Sequence, residues 1–282
     1  MKTLTEDEVL ARFQDWADAE SSVRAAILTS SRVSLVPNVV DVFSDFDIEV
    51  YVDNLDGYKQ NDDWMNAFGP ILVRCPWEPE SLEEGWLTRM AVFKDGFRID
   101  FQLTDQRLDQ KNYVDGFRVL LDKDRITEVL GTPTYEGYRI NKPSADEWLK
   151  FVNEFWWDAI YTAKSLARDE LFYAKFTFDS IMRFNYFQKL IEWSICVEHG
   201  WDTQPNKFGR FFKKYVSADR WTRIESTFAG ADIQDNWEAF LNALDLFREL
   251  AEEVGAHLGY PYPHTLDNEV TEYLREIRCV EL

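Results

Sequence analysis

The chain is 282 residues long, which is long for one small domain and comfortable for two, so a sizeable core and an interdomain cleft are expected. Acidic residues outnumber basic ones 51 to 31, for a formal charge of -20. That field repels nucleic acid and anionic membranes and suits a polycationic small substrate, although the same charge also serves solubility alone. Cys75, Cys196 and Cys279 lack CxxC spacing, and His199, His257 and His264 lack ligand spacing, which argues against a disulfide framework or a histidine metal site. The acidic N-terminus has no apolar signal core, and no segment approaches the roughly 20 apolar residues that span a bilayer. A cytoplasmic monomer without membrane or nucleic-acid partners is expected. Aromatic residues make up 16% of the chain, with eleven Trp, and such rings serve either a helical core or the lining of a groove.

Thr5 followed by Glu8 fits a capping box, and Val9, Leu10, Phe13, Trp16 and Ala17 recur behind it at helical spacing, so the chain opens with an amphipathic helix. Val23 to Leu28 reads as a short strand ending in the small polar turn Thr29-Ser30-Ser31-Arg32. Val33 to Val42, centred on Pro37-Asn38, reads as an irregular loop. From Asp45 to Val52, Phe46, Ile48, Val50 and Val52 alternate with acids, as a half-buried strand with its acids on one face requires. Phe97 to Leu103 repeats the alternation. Leu87 to Lys94 precedes it and Asp95-Gly96 is a hairpin signal, which puts Asp100 on a paired, central strand. Gly131, Pro133, Gly137 and Pro143 punctuate a boundary, giving domains 1–144 and 145–282. Beyond it, Trp148 to Gly200, Asn236 to Gly255 and Asn268 to Ile277 carry apolar residues at intervals of three and four. The expected class is α+β: an N-terminal domain with a mixed β-sheet flanked by helices, and a C-terminal helical bundle.

Carboxylates two residues apart on a strand project to the same side roughly 7 Å apart and can share one or two hard cations. Asp45 and Asp47 meet this spacing. Asp100, on the same face of a neighbouring strand, would complete an all-oxygen site with positions open for triphosphate oxygens. Burying three acids without a cation is costly, which makes their clustering informative where a lone Asp-x-Asp is not. The small side chains of Ser30 and Ser31 let backbone N–H groups and hydroxyls approach phosphate, and Arg32 can contact phosphate directly. Read alone, the same triplet is a polar turn.

The small-residue turn, Asp-x-Asp and later Asp resemble the polymerase-beta-type nucleotidyltransferase fold, whose turn is usually Gly-Ser or Gly-Gly; here Thr29-Ser30-Ser31 replaces the glycine. Over the whole chain the resemblance is to the aminoglycoside 6-adenylyltransferases, also called streptomycin adenylyltransferases. It is carried by Ala26 to Arg32, Asp45-Phe46-Asp47-Ile48, Arg98-Ile99-Asp100, Val119 to Asp124, Phe155-Trp156-Trp157, Ala167 to Lys175 and Phe247 to Ala251. The resemblance implies transfer of AMP from ATP to a hydroxyl of an aminoglycoside such as streptomycin, with release of pyrophosphate and inactivation of the antibiotic. It also implies Mg2+ bound by Asp45 and Asp47, with Asp100 either binding a second ion or taking the proton from the attacking hydroxyl.

Lys207, Arg210, Lys213 and Lys214 form a basic cluster in an acidic chain and can close on the triphosphate, and Lys207 and Arg210 resemble phosphate-contacting positions of related adenylyltransferases. A solvated helix face is the other reading. A polycationic acceptor asks for carboxylates and aromatic faces, for which Glu154, Trp156, Trp157, Asp158, Asp169 and Glu170 are candidates. Trp156 and Trp157 point different ways on a helix, so at least one belongs to the core. Asp169 and Glu170 also read as surface charges or partners for Arg168. Since no side chain is an obvious covalent nucleophile, direct in-line attack is expected. Two alternatives stay open: a different acceptor, such as a lincosamide, another hydroxylated metabolite or a protein, and a nucleotide-binding relative without turnover.

Overall fold

The Thr5–Glu8 box starts helix α1 (Glu6–Ala19): the Thr5 hydroxyl accepts from the Glu8 amide, and the Glu8 carboxylate accepts from the Thr5 amide at 2.8 Å. Val9, Phe13, Trp16 and Ala17 are its buried stripe, as helical spacing requires. There follow β1 (Val23–Thr29), β2 (Phe46–Val52), the short helix α2 (Asp56–Gln60), β3 (Ile71–Cys75), β4 (Trp86–Phe93), β5 (Arg98–Thr104) and β6 (Arg118–Asp122). The strands form one mixed sheet in the order β3-β4-β5-β2-β1-β6. The hairpin β4–β5 turns at Asp95-Gly96, where Gly96 takes φ 85, a value glycine reaches without strain. On its other side β5 pairs parallel with β2, so Asp100 does stand on an inner strand. The computed structural model describes residues 4–36, 39–77, 85–137 and 139–280, so the Pro37-Asn38 centre of the expected loop lies outside the described residues.

One face of the sheet is dry. Phe13 and Trp16 of α1 pack with Trp64, Phe68 and Phe101, with ring centroids 5.4 Å apart for Trp16–Trp64 and 4.9 Å for Trp64–Phe101. Burying each such ring stabilises the fold by roughly 1.5–3 kcal/mol. The opposite face carries a smaller core of Ala25, Ile27, Tyr51 and Tyr113, with Trp86 and Phe117 against it. That core covers the end of β2 and leaves the start of the strand, with Asp45 and Asp47, only partly buried.

The chain divides into two compact units, Met1–Tyr138 and Arg139–Leu282. The second is helical: α3 (Ala145–Ala167), α4 (Leu171–Lys175), a π-helical run (Phe176–Phe187), α5 (Gln188–His199), α6 (Phe212–Tyr215), α7 (Ala218–Glu225), α8 (Ile233–Leu258) and α9 (His264–Arg278). Its core includes Trp148, Phe155, Trp156, Phe240 and Phe247, with Phe155 and Phe247 stacked at 3.4 Å. Apolar spacing of three and four predicts helix across 148–200 but does not show the 12-residue π winding. Wide turns need ties from outside, and Arg183, paired within the run to Asp179 at 2.9 Å, supplies them by donating to the Thr227 carbonyl at 2.8 Å and lying 3.7 Å over the Phe228 ring.

Candidate active site

In the parallel pairing of β2 with β5, Asp47 is the register partner of Asp100, and Thr29 at the end of β1 pairs with Asp47 from the other side. Adjacent strands run about 4.8 Å apart and paired residues share a face. Asp45, one residue ahead of β2, returns to that face by the two-residue repeat. The acids therefore gather where β1 ends and β2 and β5 begin. Burial pushes the Asp47 carboxyl up, and the charges of Asp100 and Asp45 push it further; the Ser30 hydroxyl and Arg98 pull it down without cancelling them. A carboxyl raised by its like-charged neighbours marks a place that favours positive charge.

Arg98 supplies some of that charge. Two residues before Asp100 on the same face of β5, it donates from Nε and Nη2 to the two Asp100 oxygens at 2.6 and 2.7 Å, and its Nη1 lies 3.5 Å from Asp45 Oδ2. The hydrogen bond to Asp100 is the main reason its own pKa is raised. Among the described residues, no three His, Cys, Asp or Glu side chains are arranged to hold a metal ion. Asp47 and Asp100 are neighbours in register, with Asp45 two residues before Asp47. Their donor set still fits a hard divalent cation, being all carboxylate, with Asp47 penalised as an anion by its neighbours. A cavity of about 470 Å³ opens beside Asp45 and Arg98, bounded also by Glu6, Arg32, Phe43 and Phe97.

Ser30 opens a 3-10 turn (Ser30–Val33) with φ 62, the left-handed region that glycine favours, and its hydroxyl bonds the Asp47 carboxylate. Serine therefore occupies the conformation that a glycine would take, at a cost of about 1–2 kcal/mol. Ser31 follows in the same turn, half-buried. Arg32, expected to contact phosphate directly, borders the cavity and is held by partners within the protein. Its guanidinium donates to Glu6 at 2.6 Å, to the Asp45 carbonyl at 2.9 Å and to the Ser44 carbonyl at 2.7 Å, and it lies 3.6 Å over the Phe46 ring. With its side chain only 6% exposed, Arg32 braces the backbone that presents Asp45. Glu49 continues the acidic face of β2 but turns inward: Tyr113 donates to it, and Tyr51 and Tyr113 share a 2.7 Å hydrogen bond. Burial pushes the Glu49 carboxyl up.

In the helical unit, Glu154, Trp157, Asp158 and Tyr161 recur at i, i+3, i+4 and i+7 on α3 and share its solvent side, with Trp157 61% exposed. Asp158 accepts from the Tyr186 hydroxyl at 2.7 Å, and Trp157 and Tyr161 meet edge to face at 6.0 Å. Trp156, expected in the acceptor pocket, is instead fully buried, its indole donating to Tyr262 at 3.2 Å beneath Arg248. Burial of that ring is what anchors α3, so the exposed ring is Trp157. Asp169 and Glu170 are exposed in the turn after α3, Asp169 with φ 57, and Glu170 lies 4.0 Å from Arg168. Lys207, Arg210, Lys213 and Lys214 are exposed around a tight segment in which Asn206, Phe208 and Gly209 all take positive φ. Lys213 sits 5.3 Å over Trp221, and Lys214 sits 3.8 Å over Phe211. The residue that sequence reasoning missed is Arg98; its signal was the two-residue spacing from Asp100.

The family model for streptomycin adenylyltransferase matches residues 1–277. Similar relatives include the aminoglycoside 6-adenylyltransferase of Bacillus subtilis (strain 168), 30% identical over 98% of either chain. That of Campylobacter jejuni is 30% identical over 96% of this chain and 94% of its own, and that of Staphylococcus aureus is 27% identical over 96% and 98%. Among solved structures, the crystal structure of an aminoglycoside 6-adenyltransferase from Bacillus subtilis is similar, with TM-score 0.50 and 27% identity, covering 98% of this chain and 100% of that one.

Proposed function

Because the chain belongs to the streptomycin adenylyltransferase family, we propose that it transfers AMP from ATP to a hydroxyl of an aminoglycoside such as streptomycin, with magnesium, releasing pyrophosphate. The observation that carries this reading is the register pairing of Asp47 with Asp100 beside Ser30, with Asp45 two residues upstream. Asp45 and Asp47 would hold the magnesium, and Asp100 would be a further ligand or the proton acceptor. When bound, the metal neutralises charge developing on the phosphate oxygens and orients the α-phosphoryl group.

The remaining work falls to side chains of the chain itself. Arg98 donates to both Asp100 oxygens and so fixes the orientation in which that carboxylate faces the site. Ser30 and Ser31 stand by the acids of the first unit, where triphosphate oxygens would lie, and Lys207, Arg210 and Lys213 are exposed cations of the helical unit with the chemistry to bind phosphate. The acceptor hydroxyl attacks the α-phosphorus in line, the bond to the bridging oxygen breaks, pyrophosphate leaves, and the hydroxyl proton passes to a carboxylate. On α3, Glu154 and Asp158 alternate with the faces of Trp157 and Tyr161, a chemistry suited to ammonium and guanidinium groups, with Asp169 and Glu170 as further acids. Nucleotide chemistry is thus assigned to residues 1–144 and acceptor recognition to 145–282. Ser30 adopts the glycine conformation, which weakens the case for a relative without turnover.

Incubation with Mg2+, ATP and streptomycin should give a product heavier by one adenylyl group, with stoichiometric pyrophosphate. Asp47→Asn should lower that rate by at least about 100-fold while circular dichroism shows a folded protein. Should another hydroxylated acceptor gain AMP and streptomycin none, the acceptor assignment is wrong; no pyrophosphate with any acceptor removes the enzymatic reading.

A further inference from the structure

Arg98 is a cationic side chain aimed at the carboxylates from within the sheet, and its placement is specific. It leaves β5 two residues before Asp100, on the same face, spans both Asp100 oxygens at 2.6 and 2.7 Å and reaches to 3.5 Å of Asp45. Its Nη2 also lies 3.5 Å from the Met90 sulfur. A guanidinium bound to both oxygens of a carboxylate occupies the directions that a cation would use. The side chain is nevertheless 39% exposed and borders the cavity of about 470 Å³ beside Asp45, so it has room to leave without disturbing the core.

We propose that Arg98 is a built-in counter-ion that competes with the divalent cation for Asp100 and Asp45 and is handed over to the anionic triphosphate when nucleotide and metal arrive together. The inference rests on the adenylyltransferase reading above and assigns a positioning role, in which bare metal binds poorly and the metal–nucleotide complex binds well. In the exchange the carboxylates give up a guanidinium of single charge and gain a divalent ion, and the released guanidinium meets the negative phosphate oxygens with the same planar donor fork.

The test is Mn2+ binding to the whole protein, followed by electron paramagnetic resonance of the free ion, with and without a nonhydrolysable ATP analogue. In Arg98→Gln, bare Mn2+ should bind tighter by at least about tenfold, the equivalent of one charged hydrogen-bonded pair, while the analogue in the presence of Mn2+ should bind weaker by a similar factor. A residue that merely supports Asp100 would shift both affinities downward. Arg98→Lys, which keeps the charge and cannot span both oxygens, should tighten bare Mn2+ by less, and it serves if the Gln variant fails to fold. Unchanged or weaker bare Mn2+ binding in both variants overturns the proposal, and a gain in both arms overturns the handover. If the unaltered protein binds no Mn2+ even with the nucleotide analogue, the enzymatic reading itself fails. Loss of Mn2+ binding in Asp47→Asn identifies the site being read.

Discussion

Ser30 concentrates two opposed effects in one residue. Its left-handed backbone is costly for any side chain, and its hydroxyl bonds a carboxylate that is already penalised by burial and by Asp100 and Asp45. Ser30→Ala keeps the strain and loses the bond, so it should fall about 1 kcal/mol below the unaltered protein in urea unfolding. Ser30→Gly loses the bond and relieves the strain, with some entropy returned to the unfolded chain, so it should stay within about 0.5 kcal/mol. Equal destabilisation by both substitutions would mean that the backbone is not strained. The acids and the turn were legible because strand alternation fixes which side chains share a face. Arg98 was less so, since its partner depends on a rotamer and not on spacing alone. The choice between Trp156 and Trp157 was in fact readable: Trp148, Val152, Phe155, Trp156 and Ala159 follow one apolar stripe, and Trp157 falls outside it.

At the scale of elements, helix α1 has no basic residue in its last turn, and the cation comes from elsewhere. Lys123, just after β6, donates from Nζ to the carbonyls of Ala17 at 2.8 Å and Glu20 at 2.9 Å, and lies 3.4 Å from that of Asp18. A cation on the exposed carbonyls of a helix end satisfies its dipole and ties the edge strand to the helix. Lys123→Met should therefore cost about 1 kcal/mol in thermal or urea unfolding. Arg125→Met, two residues on in an exposed pair with Glu128, should cost almost nothing, and equal losses would count against the cap. Such a contact joins segments more than a hundred residues apart and leaves no local periodicity to read. The π-helical run is hidden for the same reason, because what holds it is Arg183 reaching Thr227 and Phe228.

Across the whole molecule the charge of -20 acts on the two substrates with opposite sign. On the proposed reaction a polycationic acceptor would be drawn in and a nucleoside triphosphate held off, and both effects would fade as the screening length shrinks from about 30 Å at 0.01 M salt to about 8 Å at 0.15 M. The KM for the aminoglycoside should rise with salt while that for the nucleotide falls or stays level; parallel changes would show that local contacts dominate. The architecture was legible as strands followed by helices, whereas the parallel pairing of β2 with β5 joins residues some fifty positions apart and has no short-range signature. That pairing makes the site a matter of odd and even. On β2 the acids stand at odd numbers and on β5 Arg98 and Asp100 stand at even ones, and they meet only because the register matches the two parities. The segment joining these strands can lengthen or shorten without touching that match. A single residue inserted between Arg98 and Ile99 would turn the Asp100 carboxylate toward the aromatic core and lift Ile99 into its place, erasing the chemistry while the composition stayed nearly the same.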